Sequence, residues 1–499
     1  MSADQPILVG VSQMTIRPDE PTRPKSAVDF MADCARLAVE DAGVSGLLEK
    51  VDALHVVNIF SRPTPNPPAE LSEALGIRPG LMEYTAIGGN SPQWLINRAA
   101  DNLAGGRTRV SLLTGINRAA DNLAGGRTRV SLLTGCEVMY TAARSGEGMI
   151  DPVSAIAALE TGMVGDDRFG SHRIEMDHFA DLPVRVYPIL ENALRAGSGM
   201  SLDEHRRVLG RFAEDFSKVA ARNPYAWFPT ERSAAEAVTV SADNRMISFP
   251  YTKYLNAVIN VDQAAAVILT SQDAHDIWYV SHRPDLAESP AIKACVEDAL
   301  DQAGIGVEQV SLFDLYSCFP CMPELARKMI GLSADDPRPI TITGGLPYFG
   351  GPGSNYSMHA IAEAAVRCRE DRDRYVLVTA NGWYCTKHSA GIYGGRPPGR
   401  SWSRTPPDRF QAGLRLPAPL EIDPEPAGML VVDGYTVWHD REGQPDIGIV
   451  CGKTTDGKRA WAQTPAGDAD VLLAMMTEEW VGKAGRIRER DGRINRIEF

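Results

Sequence analysis

Residues 84–92 read Tyr-Thr-Ala-Ile-Gly-Gly-Asn-Ser-Pro, and an amphipathic helix pattern and the apolar run 110–113 come after them. Residues 341–354 read Thr-Ile-Thr-Gly-Gly-Leu-Pro-Tyr-Phe-Gly-Gly-Pro-Gly-Ser, and a second helix pattern and the apolar run 375–379 come after those. The same unit precedes each: a helix pattern closed by Ala-Gly (Ala42-Gly43; Ala303-Gly304), then a short branched run (51–57; 310–315). Strand, glycine turn, helix, strand, written twice, describes two related halves whose turns meet where the halves meet. Such a junction can hold a small molecule. Gly88 and Gly89 permit close backbone approach to a ligand, or simply a tight turn.

Working outward, residues 7–13 and 51–60 read as strands and 27–42 as a helix, an alternation that indicates an α/β fold with a largely parallel sheet. Residues 140–250 break the rhythm with helical patches, clearest at 202–222, and read as a cap or covering segment inserted into the first half. The first half thus spans 1–272 and the second 273–394. Residues 395–427 are proline-rich, which is expected to exclude regular helix and to mark a linker or extended arm. Short alternating runs, with one helix at 468–480, fill 428–499. They predict a small β-barrel of the oligonucleotide-binding type.

A chain of 499 residues can build a large core. Its net charge of −13 argues against nucleic acid or an anionic membrane as partner. The barrel's mixed charge and lack of an aromatic stripe argue the same way. The eight scattered cysteines suit free thiols in a reducing compartment. The pair Cys318 and Cys321 has no second pair at zinc spacing, so no metal is expected. Without a secretory signal or a membrane-length apolar run, the expected location is cytoplasmic.

Residues 96–115 and 116–135 are identical, twenty residues each. Two copies without one difference do not make a repeat architecture, whose units diverge and need several copies to bury a core. The fold is expected to use the helix of copy one and the strand of copy two, or to accommodate an extra pair.

Four segments in order resemble the thiolase superfamily, in particular the sterol-carrier-protein-type thiolases and thiolase-like proteins. Residues 256–267, Asn-Ala-Val-Ile-Asn-Val-Asp-Gln-Ala-Ala-Ala-Val, are similar to the family's N-A-S-G-x-N-D-G-A-A-A-V. Asp314-Leu315-Tyr316-Ser317-Cys318-Phe319 resembles its E-x-N-E-A-F and E-L-H-D-C-F forms. Gly344-Gly345 with Gly350-Gly351-Pro352 resembles N-G-G…G-H-P, and Asn381-Gly382 through His388 lies where the last catalytic loop falls. The tail from Gly428 looks like the extra C-terminal domain of a thiolase-like subgroup. The resemblance implies a five-layered α-β-α-β-α core of two pseudo-symmetric halves, a possible homodimer, and acyl-CoA thioesters as substrates with no other cofactor. It implies substrate contacts at Gly88, Gly89, Asn90, Ser317, Gly350, Gly351, Asn381 and Gly382.

The family's catalytic positions hold other residues here. Gly89 stands where the resemblance places the nucleophilic cysteine, Gly351 where it places the G-H-P histidine, and Tyr316 where it places the third motif's asparagine or histidine. The second cysteine falls near Asn381 or Gly382, with Cys385 close by. Thiolysis needs a thiolate, a base and an oxyanion hole. Ser91 is a substitute nucleophile on paper, but Ser91-Pro92 also reads as a helix N-cap with proline at the first position. Tyr316 reads as a proton-transfer residue or a core tyrosine. His388 reads as a general base or as a surface histidine opening a helix, and Cys385 as its thiol partner. The expected function is a thiolase-like acyltransferase that makes or breaks the carbon–carbon bond next to an acyl-CoA thioester. The alternatives are retro-aldol cleavage of a β-hydroxyacyl-CoA, and CoA-ester binding without turnover.

Overall fold

Ser26 opens the first long helix by accepting a hydrogen bond from the Asp29 amide, and Gly43 closes it at φ 65°, where a residue without Cβ is least strained. This helix, α1 (Ala27–Ala42), lies on the outer face of the first sheet. The computed structural model describes residues 8–23, 26–43, 46–61, 64–104, 130–146, 159–267, 272–396 and 405–499. The first sheet contains β1 (Ser12–Thr15), β2 (Val51–Val56), β3 (Leu81–Thr85), β4 (Val130–Val138), β5 (Met163–Val164) and, later in the chain, residues Asp262–Val267. β2, β3, β4 and β5 run parallel. Helices α2 (Pro67–Leu75) and α3 (Ser91–Ala104) come after β2 and β3.

The described structure takes α3 from the first copy of the duplicated stretch and β4 from the second. The expected strand 110–113 lies outside the described residues. The residues immediately after the second copy explain the choice of strand. Glu137, at the end of β4, accepts hydrogen bonds from the Phe60 and Ser61 amides, both at 2.8 Å, and from the Ser61 hydroxyl at 2.6 Å. The first copy leads instead into Ile116-Asn117, which carries no carboxylate for that place.

The inserted segment contains α4 (Pro183–Gly197) and α5 (Leu202–Arg222), then β6 (Met246–Ser248) and β7 (Tyr251–Thr252). β8 (Asp262–Val267) completes the first sheet between β1 and β4. The second sheet is β10-β11-β12-β9, formed by β9 (Gln272–His275), β10 (Leu312–Asp314), β11 (Tyr375–Gly382) and β12 (Lys387–Gly394). Its helices are α6 (Pro290–Ala303), α7 (Cys321–Ile330) and α8 (Tyr356–Glu370). Leu95, Ile96 and Ala99 of α3 and Met358, Ile361 and Ala364 of α8 share one apolar cluster with Val57, Leu133, Val376 and Val378. The two helices therefore form the middle layer between the sheets. With α1 outside one sheet and α6 outside the other, the core has the five layers expected.

The insertion packs mainly against the second half and the barrel. Val186, Ile189, Leu209 and Phe216 join the cluster of Ile292, Phe313, Leu325 and Trp461. After residue 405, Pro407–Gly413 is a short helix, which corrects the expectation that proline density excludes helix there. Pro407 stands at its first position, where a missing N–H costs nothing. Then β13 (Gly428–His439), β14 (Pro445–Thr454), β15 (Arg459–Gln463), β16 (Ala484–Asp491) and β17 (Ile494–Glu498) close into a five-stranded barrel, with α9 (Ala469–Thr477) between β15 and β16. A bidentate pair of buried Arg195 with Glu479 joins the insertion to the barrel. Among the described residues no helix is long and apolar enough to cross a membrane.

Candidate active site

The two glycine-rich stretches meet as the sequence suggests. The Gly88 amide donates to Ser354 Oγ at 3.1 Å, and the Ser357 hydroxyl donates to the Gly89 carbonyl at 2.9 Å. Asp314 fastens the second stretch beneath them. Its buried carboxylate accepts the Ile342 amide at 3.0 Å, the Thr343 amide at 3.1 Å and the Tyr356 hydroxyl at 3.0 Å.

A side chain at position 89 has no room. A Cβ there would collide with Tyr316 Oη and would stand 2.5 Å from the Asn381 carbonyl oxygen. The Tyr316 phenol fills the space at the start of α3 into which a residue 89 side chain would project. Its hydroxyl makes no hydrogen bond among the described residues, and burial pushes its pKa well above the ordinary phenol value. It therefore keeps its proton and is suited to donate rather than abstract. Ser91 is the first residue of α3 and donates its hydroxyl to the Ala86 carbonyl at 2.9 Å. The expected cap, in which that oxygen would accept from the helix, is not formed.

Asn381 and Gly382 end β11, and a tight turn leads to β12. Trp383 and Cys385 in this turn have φ 56° and 54°, a conformation that costs a residue with Cβ about 1–2 kcal/mol. Tyr187 of the insertion holds the turn. Its hydroxyl donates to the Trp383 carbonyl at 2.6 Å and accepts from Asn381 Nδ2 at 2.8 Å and from the Cys385 amide at 3.3 Å.

Lys387 and His388 come next on β12, and alternation sends their side chains to opposite faces of the sheet. His388 is buried in β12, which corrects the reading of a surface histidine opening a helix. Its Nε2 faces Asp276 Oδ2 at 3.1 Å, Ser289 Oγ at 3.4 Å and Cys385 Sγ at 3.9 Å. Burial pulls the imidazolium pKa down, but the Asp276 carboxylate and the Cys385 sulfur outweigh it and raise it to about 9. At neutral pH the ring is charged, so as found it is an acid and not the free base expected from an ordinary imidazole.

Lys387 turns the other way, toward the first glycine turn. Its Nζ donates to the Ile87 carbonyl at 2.5 Å and the Asp166 carbonyl at 3.2 Å. Burial lowers its pKa to about 8, against the pull of the Asp166 carboxylate. A Cβ on Gly88 would lie 2.9 Å from Lys387 Cε and would strike Asn90 Oδ1, itself buried without a hydrogen bond. Lys387 was not among the residues expected from sequence. Its signal was its place one residue before a histidine on a strand, which puts it on the opposite face.

Two cavities flank β12. One of about 220 Å³ has Asn90, Ser91, Trp94, Trp278, Lys387 and His388 on its walls. The other, about 10 Å³, has Tyr316, Asn381, His388 and Cys295 on its walls and has room for a single water. His388 is common to both. Gly350 and Gly351 line neither. The Gly351 amide donates to the Val258 carbonyl at 2.7 Å, and a Cβ at Gly350 would strike Gln263 Oε1. The Ser317 hydroxyl accepts from the Leu346 amide at 3.3 Å and braces the second turn.

Residues 415–493 match the family model of the thiolase-like protein type 1 additional C-terminal domain, a stretch that contains the barrel's first four strands and ends just before the fifth. No curated protein matches the chain. Among solved structures, it is similar to a monomeric SCP2-thiolase like protein type 1 from Mycobacterium smegmatis, at 29% identity and TM-score 0.79. That match covers 100% of this chain and 99% of the other. An Ltp2-ChsH2(DUF35) aldolase matches at TM-score 0.53 and 16% identity, covering 78% of this chain and 97% of that one. The dimeric peroxisomal thiolase of Saccharomyces cerevisiae matches at TM-score 0.54 and 12% identity, covering 79% and 98%. The last two likenesses show the fold alone. With the layered core, the barrel and the full-length likeness in agreement, the chain has the thiolase-like fold and carries the additional C-terminal domain of the type 1 thiolase-like proteins.

Proposed function

We propose that this chain acts on acyl-CoA thioesters at the carbon–carbon bond next to the thioester, as a thiolase-like enzyme that works by proton transfer and without an acyl-cysteine at position 89. One observation carries the reading: the space beside Gly89 is filled by the Tyr316 phenol. A nucleophile is then replaced by a proton donor at the same point.

Chemistry of this kind needs a base, an acid and donors for an enolate oxygen. Lys387, with a pKa of about 8, has a neutral fraction near physiological pH and is the base in this proposal. Tyr316 is the proton donor beside Gly89, and the Asp276–His388 ion pair, neutral as a whole, fixes the imidazolium behind the turn. Retro-aldol cleavage of a β-hydroxyacyl-CoA fits this set best. The base takes the β-hydroxyl proton, the Cα–Cβ bond breaks to leave a carbonyl product, and the CoA enolate regains a proton at Cα from the acid.

The test is exchange of the α-hydrogens of acetyl-CoA in deuterated buffer, followed by mass spectrometry. Exchange that falls at least tenfold in Tyr316→Phe supports the proposal. Equal exchange in both proteins removes Tyr316 from it. The void of about 10 Å³ beside Tyr316 favours a second reading, CoA-ester binding without turnover. That reading requires bound ester and no exchange.

A further inference from the structure

Three helices from two parts of the fold bring one ionisable residue each to a single buried point. Glu191 is on α4, His205 on α5 and Glu324 on α7. Glu191 is fully buried and His205 is 2% exposed. His205 Nε2 lies 2.8 Å from Glu191 Oε1 and 3.8 Å from Glu324 Oε2. One donor atom from each residue falls within 4.8 Å of the other two.

The separation of 2.8 Å is short enough for a hydrogen bond, yet neither His205 Nε2 nor Glu191 Oε1 makes one, and Glu324 Oε1 is also buried without a partner. The Glu191 oxygen therefore lies off the axis along which a ring N–H would point. A hydrogen-bonded ion pair places the acceptor on that axis. A ligand set instead places an ion on the imidazole axis with carboxylate oxygens beside it, and the imidazole and carboxylates are both good donors to such an ion. The other Glu191 oxygen accepts the Tyr251 hydroxyl, the kind of outer partner that orients a metal-bound carboxylate.

We propose that Glu191, His205 and Glu324 form a binding site for a divalent transition-metal ion that ties the inserted helices α4 and α5 to α7 of the second half. One imidazole and two carboxylates suit Zn²⁺, Mn²⁺ or Fe²⁺. A divalent ion neutralises the two carboxylates, to which Arg327 is the nearby counter-charge on Glu324. Without the ion a proton takes its place: burial pulls the His205 pKa down, but Glu191 and Glu324 outweigh it and raise it to about 9. Binding at neutral pH therefore displaces the His205 proton to buffer.

The test is calorimetric titration of the full, chelator-stripped chain with ZnCl₂ at pH 7.5, in two buffers of different ionisation enthalpy. The expected result is one equivalent bound with release of protons to buffer, and a melting temperature several degrees higher with the ion. Glu324→Gln should weaken binding at least tenfold and His205→Gln should abolish it. Asp276, Cys385 and His388 are the other converging set among the described residues, so Cys385→Ser should leave the titration unchanged. No binding by the stripped wild type, or binding kept by Glu324→Gln and lost by Cys385→Ser, overturns the proposal. Glu324, with a partly exposed side chain, carries the test if the histidine variant does not fold.

Discussion

The two glycine turns are alike in sequence and unlike in what approaches them. At the first, Gly88 and Gly89 make room for Lys387, Tyr316 and Asn381, all from the other half. At the second, a Cβ on Gly344 would stand 2.6 Å from Ala220 Cα, and one on Gly345 would stand 2.6 Å from Phe216 Cδ2. Those neighbours belong to the inserted helix α5. One turn admits polar side chains beside a cavity; the other is packed shut by apolar ones. Pseudo-symmetry of sequence therefore does not give a symmetric site, because the insertion occupies one of the two equivalent places.

The widest separation between the turns comes from adding one methyl to each. Gly89→Ala should lower turnover on the active acyl-CoA by about a hundredfold, because it displaces Tyr316 from the reacting position. Gly344→Ala, at φ 110° and against the α5 backbone, should instead cost about 3 kcal/mol of stability in urea unfolding, with kcat per folded molecule nearly kept. If each variant showed the other's phenotype, the contrast would be wrong.

The two faces of β12 sharpen it next. Folding raises the His388 pKa to about 9, above the unfolded value of about 6.5. The stabilisation is thus fully present below about pH 6.5 and is lost as pH rises through 9, on the order of 3 kcal/mol in all. Its partner Asp276 has a lowered pKa, because His388 and Arg283 outweigh burial, and its contribution disappears as pH falls into the acid range. Asp276→Asn should flatten the urea midpoint between pH 6.5 and 9.5, where the wild type declines. On the opposite face, Lys387→Met should reduce kcat ten- to a hundredfold and remove a rising limb near pH 8 from the rate profile.

The smallest effect concerns the duplication. Removing residues 116–135 leaves the sequence of α3, a single copy of the stretch after it, and β4. Loop-closure entropy for a shortening of this kind is about 1.5 kcal/mol, so the melting temperature should rise by a few degrees. A fall would mean that the second copy contributes contacts of its own.

Much of this was legible in the sequence. The helix stops at Gly43 and Gly304, the paired glycine turns and the alternating runs after residue 428 rest on local chemistry, and each reappears in the structure. The site was legible only in part. Tyr316, Asn381 and Cys385 were placed by motif order, but their surroundings are not local. Tyr187, which holds the Trp383–Cys385 turn, comes from the insertion, and Asp276, which keeps His388 charged, comes from the far end of another strand. A histidine read without its carboxylate looks like a base near neutrality. A lysine in a strand reads as surface until the fold shows it buried beside Gly88. Ser91 read as a cap because serine before proline usually is one; here the Ala86 carbonyl takes its proton.

Incubation of the purified chain with β-hydroxyacyl- and β-ketoacyl-CoA esters, with intact-protein and product mass spectrometry as the readout, tests the central claim most directly. The account expects a chain-shortened CoA product alongside protein of unchanged mass. An acyl group covalently attached to Cys385 or to any other side chain would contradict it.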